Sequence, residues 1–199
     1  MIHSHMTKHA MAVALKKEME KKSFHKISIK NITKSCGLTR QAFYYHFQDI
    51  YELLGWIYSH EVVETMHTYQ SHENWKDVYL NVFKYIEENK LFCMNTLHSI
   101  GRDHLEKFLF VNTAAYLSHI VDDISEGTQV DPSKKELIVD FYTPAFIALV
   151  AKWMESGMKE KPEEIVENLA VLVEGTIEKA LRQYEANEKG LFHPNNFAG

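Results

Sequence analysis

Apolar residues recur along this chain at intervals of three and four positions, which is the spacing of an amphipathic α-helix. In the first segment Met11, Leu15 and Met19 share one face, which predicts a helix over residues 7–22. The sequence lacks the strict alternation of apolar and polar residues that marks strands, so we predict an all-α fold. The same helical spacing predicts further helices over residues 49–70, 75–89, 91–99 and 103–126.

Two short helices are predicted between the first two long ones, on either side of Gly37. Ser28 is a favourable N-cap for the first of them, in which Ile29 and Ile32 are expected to face inward. Gly37 ends this helix, because glycine readily adopts the left-handed conformation found just past many helix ends. The second short helix is predicted over residues 39–47.

Prolines mark the helices in the last third of the chain. One helix is predicted over residues 132–157, with a kink at Pro144. Pro162 is well suited to the first turn of a helix and predicts a final continuous helix that reaches about residue 186. Residues 188–199 are expected to form an irregular tail.

Charge is unevenly distributed along the chain. The net charge is −5, yet residues 1–47 carry nine lysines and arginines against two acidic residues, which leaves the remainder at −12. A basic end on an acidic body is typical of a protein that contacts a polyanion such as DNA through one small domain. A solvated lysine-rich helix would give the same asymmetry.

The composition is that of an ordinary soluble globular protein, with 45% hydrophobic and 25% charged residues. No apolar run approaches the roughly 18 to 20 residues of a membrane span, and the N-terminus lacks the apolar stretch of a signal peptide. The two cysteines, Cys36 and Cys93, do not have metal-binding spacing. We therefore expect a cytoplasmic protein that does not contact membranes.

Residues 28–47 have the outline of a helix-turn-helix, in which one short helix braces a second that enters the major groove of DNA. In the second helix Phe43 and Phe47 are expected to face the core, whereas Gln41 and Tyr45 lie on the opposite side. Glutamine can pair with adenine, arginine with guanine, and tyrosine with phosphate. A plain helical hairpin would have the same outline. The predicted DNA-contacting residues are Ser28, Lys30, Thr39, Arg40, Gln41, Ala42, Tyr44, Tyr45 and His46.

More specific motifs cover this segment and its surroundings. Phe24 opens the pattern F-x-x-I-S-I-x-x-I, and C-G-L at 36–38 precedes T-R-Q-A-F-Y-Y-H-F at 39–47. This order resembles the N-terminal domain of the tetracycline-repressor (TetR/AcrR) family over about residues 7–55. Residues 141–169 are similar to the C-terminal domain of a subgroup that includes dihydroxyacetone-kinase operon regulators.

The resemblance implies a dimeric regulator of transcription with an N-terminal three-helix helix-turn-helix domain and a C-terminal helical bundle for dimerisation and sensing. The first domain is expected over residues 7–48 and the second over residues 49–187. The family usually has a phosphate-binding lysine shortly after F-Y-Y-H-F, where this chain has Ile50. This departure predicts weaker nonspecific binding with a shallower salt dependence. The positions that match family DNA contacts are Thr39, Arg40, Gln41, Ala42, Tyr44, Tyr45 and His46.

The last two predicted helices carry apolar stripes that are broader than one thin bundle buries. Two such helices from each of two chains would form a four-helix interface, and a dimer would read the paired half-sites of a pseudo-palindromic operator. Burial within one chain is the alternative explanation. The predicted interface residues are Phe141, Ala145, Leu149, Leu169, Leu172, Val173, Ile177 and Leu181.

The middle helices carry large aromatic side chains that are candidates for the wall of an effector pocket, although each is also a normal core residue. The resemblance implies a small-molecule effector or, for the dihydroxyacetone-kinase subgroup, activation with a protein co-regulator. Activation and repression both stay open. The candidate pocket residues are Trp56, Tyr79, Phe83, Phe92, Phe108 and Tyr116.

Histidines raise one metal hypothesis. His60, Glu64 and His67 are spaced so that they could share one helix face and bind zinc. A solvated face on a long helix has the same spacing, and we predict neither a metal nor a cofactor.

Two functions fit this sequence. The first is a homodimeric, sequence-specific DNA-binding regulator of transcription, whose DNA affinity is modulated through the C-terminal domain. The second is a protein-interaction co-regulator that has lost specific DNA readout, which Ile50 and the acidic body support. An enzyme is not expected, because the sequence lacks a P-loop, a G-x-S-x-G motif and a glycine-rich dinucleotide fingerprint.

Overall fold

The computed structural model describes residues 2–63, 74–99 and 102–189, and the regular structure within these ranges is helical throughout. The predicted all-α fold is therefore confirmed. The helices, numbered in chain order, are α1 (Ile2–Met19), α2 (Ile29–Ser35), α3 (Arg40–His46), α4 (Ile50–Tyr58), α5 (Trp75–Glu88), α6 (Lys90–Leu97), α7 (Arg102–Ile124), α8 (Pro132–Glu155), α9 (Pro162–Val173) and α10 (Thr176–Glu188).

The chain divides into two compact units. The first unit comprises residues 1–65 and 84–109, and the second comprises residues 66–83 and 110–199. The divisions fall within α5 and within α7, so the helix-turn-helix shares its unit with α4 and α6. The predicted functional boundary near residue 49 stays a prediction.

The core of the first unit is built around α1, which packs against α2, α3 and α4. Met11 and Leu15 are fully buried, which confirms the predicted apolar face of this helix. Ile32, Phe43 and Leu53 bring one fully buried side chain each from α2, α3 and α4. Each such side chain removes apolar surface from water, at roughly 1.5–3 kcal/mol per residue, and this burial holds short helices that would be marginal alone.

Two helices of the first unit differ from the prediction. The first helix begins at Ile2 rather than at residue 7, and it ends at Met19. The predicted helix over residues 49–70 is α-helical only from Ile50 to Tyr58, and a π-helical turn follows at Ser59–Val63. Such a turn inserts one extra residue per turn, which the period of apolar residues does not reveal. The remainder of that predicted helix lies outside the described residues.

In the second unit, α7, α8 and α10 share a buried cluster. Val121, Ile138 and Leu181 contribute one side chain from each helix, and Val130 joins them from the connection between α7 and α8. Aromatic side chains form further packing in this unit, where Phe83 meets Trp153 edge-on with ring centroids 4.8 Å apart. The helix α8 continues through Pro144 to Glu155.

The predicted final helix over residues 162–186 is wrong as one element. The helix α9 ends at Val173, and α10 begins at Thr176. Gly175 lies between them with a φ of +74°, a left-handed conformation that costs glycine little and other residues more. Apolar residues keep their helical spacing across this break, so their period alone predicts a continuous helix.

The helix α8 is long and apolar enough, by length and composition alone, to cross a membrane. One 18-residue window has a mean hydropathy of 1.4, which corrects the expectation that no run approaches a membrane span. Core helices of soluble proteins pass the same test, and 33% of this window is buried in the chain. The absence of membrane contact stays a prediction.

Candidate DNA-binding surface

The N-terminus of α2 is fixed by a reciprocal pair of hydrogen bonds. The Asn31 backbone N–H donates to Ser28 Oγ at 3.3 Å, and the Ser28 backbone N–H donates to Asn31 Oδ1 at 2.9 Å. This capping box satisfies two backbone donors that the helix end would leave unpaired. The predicted N-cap role of Ser28 is confirmed.

The turn between α2 and α3 is equally well defined. Gly37 has a φ of +70°, and the Leu38 N–H donates to the Thr33 carbonyl at 2.8 Å, which closes the C-terminus of α2. Thr39 Oγ1 then accepts a hydrogen bond from the Ala42 N–H at 3.1 Å and caps α3. These contacts set the direction in which α3 leaves the turn.

The helix α3 has one buried and one exposed face, as its sequence predicts. Phe43 is fully buried, and Phe47, which follows the helix, is 3% exposed. Tyr44 and Tyr45 are 52% and 83% exposed. Two adjacent aromatic side chains are therefore available to a partner on the exposed face of α3.

Polar groups surround these tyrosines on the same short helices. Arg40 and Gln41 are exposed, Ala42 and His46 are half-buried, and the rings of Tyr45 and His46 meet edge-on at 4.9 Å. Further exposed predicted contacts are Ser28, Lys30 and Thr39. Together they offer hydroxyl, amide, imidazole and cationic donors, which suits phosphates and base edges.

The N-terminus of α4 is acidic where the resemblance predicts a cation. The Glu52 N–H donates to Asp49 Oδ1 at 2.8 Å, and the Gln48 N–H donates to Glu52 Oε2 at 2.5 Å. Ile50 lies between Asp49 and Glu52 in the sequence, and its side chain is half-buried. Two carboxylates therefore occupy backbone donors that could otherwise bind a phosphate.

Asn95 of α6 is a supporting residue that sequence reasoning missed. Its Oδ1 accepts a hydrogen bond from the Phe24 N–H at 2.8 Å, and its Nδ2 donates to the carbonyls of Met19 at 2.7 Å and Lys22 at 2.8 Å. One amide thus holds the whole connection between α1 and α2. In the sequence Asn95 is only a single asparagine in a mainly apolar helix. Its role could not be predicted from neighbouring residues, because its partners are more than 70 positions away.

A second polar contact joins α1 to the π-helical turn. Glu61 Oε2 accepts hydrogen bonds from Lys16 Nζ and from the Tyr85 hydroxyl, both at 2.7 Å. Lys16 also lies over the rings of Tyr85 and Phe92. Burial, with a smaller contribution from the nearby Cys93, raises the pKa of Tyr85 well above its usual range, so the phenol stays a donor.

The candidate pocket residues do not line one cavity in the described parts of the chain. A cavity of about 390 Å³ lies in the second unit, and Tyr79 and Tyr116 line it. Phe83 packs against Trp153 instead. The other three candidates lie in the first unit, where Trp56 stacks on His60 and both Phe92 and Phe108 pack on Tyr58.

The predicted dimer residues fall into three groups. Phe141 of α8 and Leu172 of α9 are 69% and 73% exposed, and Ala145 and Leu149 are also exposed on α8. Leu169 and Leu181 are buried within the chain, so they offer no surface to a partner. Val173 and Ile177 line the cavity.

The metal hypothesis stays untested. His60 stacks on Trp56 with ring centroids 4.8 Å apart and meets His5 at 4.7 Å. Glu64 and His67 lie outside the described residues.

Comparison with known proteins extends over both halves of the chain. The sequence profile of the bacterial regulatory proteins of the tetR family matches residues 13–55, and the profile of a transcriptional regulator C-terminal region of TetR type matches residues 73–175. The HTH-type dhaKLM operon transcriptional activator DhaS of Lactococcus lactis subsp. lactis (strain IL1403) is 32% identical over 118 residues. That alignment covers 59% of this chain and 62% of the relative, so it spans less than two thirds of the relative's length.

Two solved structures have a similar fold. The dihydroxyacetone kinase operon activator DhaS superposes with a TM-score of 0.68 at 22% identity, covering 90% of this chain and 98% of that one. NalD, the secondary repressor of the MexAB-OprM multidrug efflux pump in Pseudomonas aeruginosa, gives 0.59 at 15% identity, covering 89% and 98%. The C-terminal profile alone spans more than half of the residues, and the N-terminal profile covers the helix-turn-helix. The chain therefore belongs to the tetR family of bacterial regulatory proteins.

Proposed function

We propose that the chain acts as a homodimer that binds a pseudo-palindromic DNA duplex, with α3 of each protomer in the major groove. The observation that carries this proposal is the division of α3 into a fully buried Phe43 and exposed Arg40, Gln41, Tyr44 and Tyr45. Base readout requires polar side chains on a helix whose position is fixed by its own core contacts.

Each exposed residue has a role in this proposal. Arg40 and Gln41 read base edges, since their side chains form bidentate pairs with guanine and adenine. Tyr44, Tyr45 and His46 donate to phosphates or contact thymine methyl groups, and Lys30 supplies nonspecific attraction.

The dimer is supported by exposed apolar side chains on α8 and α9. Buried apolar surface is the usual driving force for homodimers, and isolated monomers seldom expose several large apolar residues on adjacent helices. If a second protomer covers these side chains, the apolar character of α8 is compatible with the cytoplasmic location that we propose. These residues are Leu137, Phe141, Leu149, Val171 and Leu172.

Selection of bound sequences from a random duplex pool tests the proposal. We expect enrichment of two inverted half-sites whose centres lie about one helical turn, or a multiple of it, apart. The variants Arg40→Ala and Tyr45→Ala should lose the enrichment. The control Lys159→Ala removes one positive charge from an exposed loop and should keep it. Equal binding of selected and random duplex at every salt concentration would rule the proposal out.

A second function is favoured by the N-terminus of α4. Ile50 replaces the expected lysine, and the carboxylates of Asp49 and Glu52 occupy backbone donors there. These features fit a co-regulator that acts through protein contacts and has lost specific DNA readout. It predicts that no sequence is enriched and that capture of a defined partner survives Arg40→Ala and Tyr44→Ala.

The proposal also concerns whether the chain activates or represses transcription. DhaS is named an operon activator and NalD a repressor, so family membership alone allows either sign. The 32% identity to DhaS favours activation. A reporter placed behind the selected operator should gain transcription when this chain is expressed, and a fall would establish repression. DNA affinity is modulated through the second unit in this proposal.

A further inference from the structure

The cavity of the second unit has the size of a small-molecule site. Its volume is about 390 Å³, within the usual range for ligand pockets of roughly 300–1,000 Å³. Its wall is formed by α5, α7 and α8 and by the break between α9 and α10 at Gly175.

Five aromatic rings contribute to the wall of this cavity. Trp75, Tyr79, Tyr116, Tyr142 and Phe146 all line it. The rings of Tyr79 and Phe146 are 4.6 Å apart, and Tyr142 stacks on Phe146 at 6.2 Å. Such a wall accommodates a planar apolar body, and ring faces also attract cations.

The charges at the cavity leave one carboxylate unneutralised. Lys76 Nζ lies 3.4 Å from Glu174 Oε1, so these two charges offset each other. Glu178 lines the same cavity and has neither a hydrogen-bond nor an ion-pair partner within the described ranges. The residues that line this cavity therefore carry one net negative charge, which favours a ligand with one positive charge; Lys179 and Arg182 share a neighbouring pocket with Glu178 but do not line this cavity.

The Tyr116 hydroxyl gives an independent indication of a ligand. Its oxygen is buried and lacks a hydrogen-bond partner in the described structure, whereas the Tyr142 hydroxyl pairs with Thr176 Oγ1 at 2.6 Å. Buried polar atoms are nearly always paired in folded proteins. Burial, aided by the Asp77 carboxylate, raises the pKa of Tyr116 to about 12, so the hydroxyl stays neutral and can both donate and accept.

We propose that this cavity binds a small aromatic amine in its protonated form. The aromatic body packs on the Tyr79–Phe146 wall, the ammonium pairs with Glu178, and a second polar group of the ligand bonds to the Tyr116 hydroxyl. A small polyol fits poorly, because several of its hydroxyl groups would lose their water and face apolar rings without hydrogen-bond partners. The proposal deepens the effector part of the proposed function, but binding itself does not require DNA.

Isothermal titration of the full chain with three indoles tests the recognition of charge. Tryptamine is a cation, tryptophol is neutral and indole-3-propionate is an anion, while the aromatic body is the same. We expect tryptamine to bind about fivefold more tightly than tryptophol at low salt, the upper range for a half-exposed ion pair, and the anion to bind most weakly. Added salt should reduce the preference.

Matched variants test the two polar contacts. Glu178→Gln should make tryptamine and tryptophol bind equally, whereas Glu126→Gln, which removes the same charge from an exposed turn, should leave the preference intact. Tyr116→Phe should weaken both ligands severalfold, because the indole N–H that they share loses its hydrogen-bond partner. Circular dichroism melts of each variant show whether the fold survives.

Three outcomes would overturn the inference. Equal affinity for all three indoles would mean that only the rings recognise the ligand. Tightest binding of indole-3-propionate would make Lys76 the recognition group, and absence of heat with all three would leave no aromatic amine site. DNA selection without ligand is run in parallel, so failure of the titration and failure of operator binding are scored separately.

Discussion

Lys16 of α1 and Glu61 of the π-helical turn form a half-buried ion pair, with Nζ and Oε2 2.7 Å apart. The same carboxylate oxygen accepts the Tyr85 hydroxyl at 2.7 Å, so three segments of the first unit meet at one atom. The two side chains of the pair retain 23% and 28% of their accessible surface. Both side chains are therefore partly shielded from water, and the pair joins residues 45 positions apart, whereas Glu185 and Lys189 pair within one helical turn.

The first prediction concerns this contact. Glu61→Gln keeps an oxygen acceptor for Tyr85 but leaves Lys16 without its charged partner, and we expect a loss of roughly 1–3 kcal/mol in the free energy of unfolding. Urea denaturation followed by circular dichroism measures it. Glu185→Gln breaks the exposed pair with Lys189 and should leave stability unchanged. Equal effects of the two substitutions would mean that the Lys16 contact contributes no more than a surface pair.

The second prediction concerns Asn95. Asn95→Asp keeps the acceptor for the Phe24 N–H but replaces the donor to the Met19 and Lys22 carbonyls with a carboxylate oxygen. We expect a loss of about 2–3 kcal/mol and faster amide hydrogen exchange in residues 24–27.

A matched asparagine provides the control. Asn89→Asp removes a single donor, from Nδ2 to the Tyr85 carbonyl at 2.9 Å, and its cost should be about 1 kcal/mol, without faster exchange at 24–27. If both variants lost the same stability and showed the same exchange, Asn95 would have no special role in holding the connection.

Local periodicity predicted the features that depend on one helix at a time. The opposite placement of Phe43 and Tyr45 follows from the 3.6-residue period, and Gly37 marked a real left-handed turn. The same rule missed Gly175, since apolar spacing continues from Val173 to Ile177 across the break. Asn95 and the cavity depend on contacts between distant segments, which periodicity does not contain.

The third prediction compares two glycines that have equal room for a side chain but different backbone conformations. A Cβ added at Gly175 or at Gly55 would meet no atom within 4 Å, so sterics with neighbours do not distinguish them. Gly175 has a φ of +74°, and Gly175→Ala should cost about 1–2 kcal/mol. Gly55 lies inside α4, and Gly55→Ala should add about 0.4–1 kcal/mol by reducing the freedom of the unfolded chain.

Chemical denaturation of the two variants checks the signs. Both substitutions add the same methyl group, so opposite changes in the free energy of unfolding would have to come from the backbone conformation. Stabilisation by Gly175→Ala would show that α9 and α10 join into one continuous helix, as the apolar spacing alone predicts.

The last prediction concerns Ile50 and the DNA contact. Ile50→Lys restores a cation at the first residue of α4, beside the carboxylates of Asp49 and Glu52. We expect tighter binding to duplex DNA and a slope of log K against log salt that is steeper by about one. Fluorescence anisotropy with the selected operator and with a random duplex, at four or more salt concentrations, measures both quantities.

The control Val111→Lys adds the same charge at an exposed position of α7. It should change the salt slope much less, because a general rise in charge does not place a cation at a phosphate. Equal slopes for the two variants would show that Ile50 does not mark a missing phosphate contact. In that case the acidic end of α4 would not explain weak binding, and the co-regulator alternative would lose the observation that favours it.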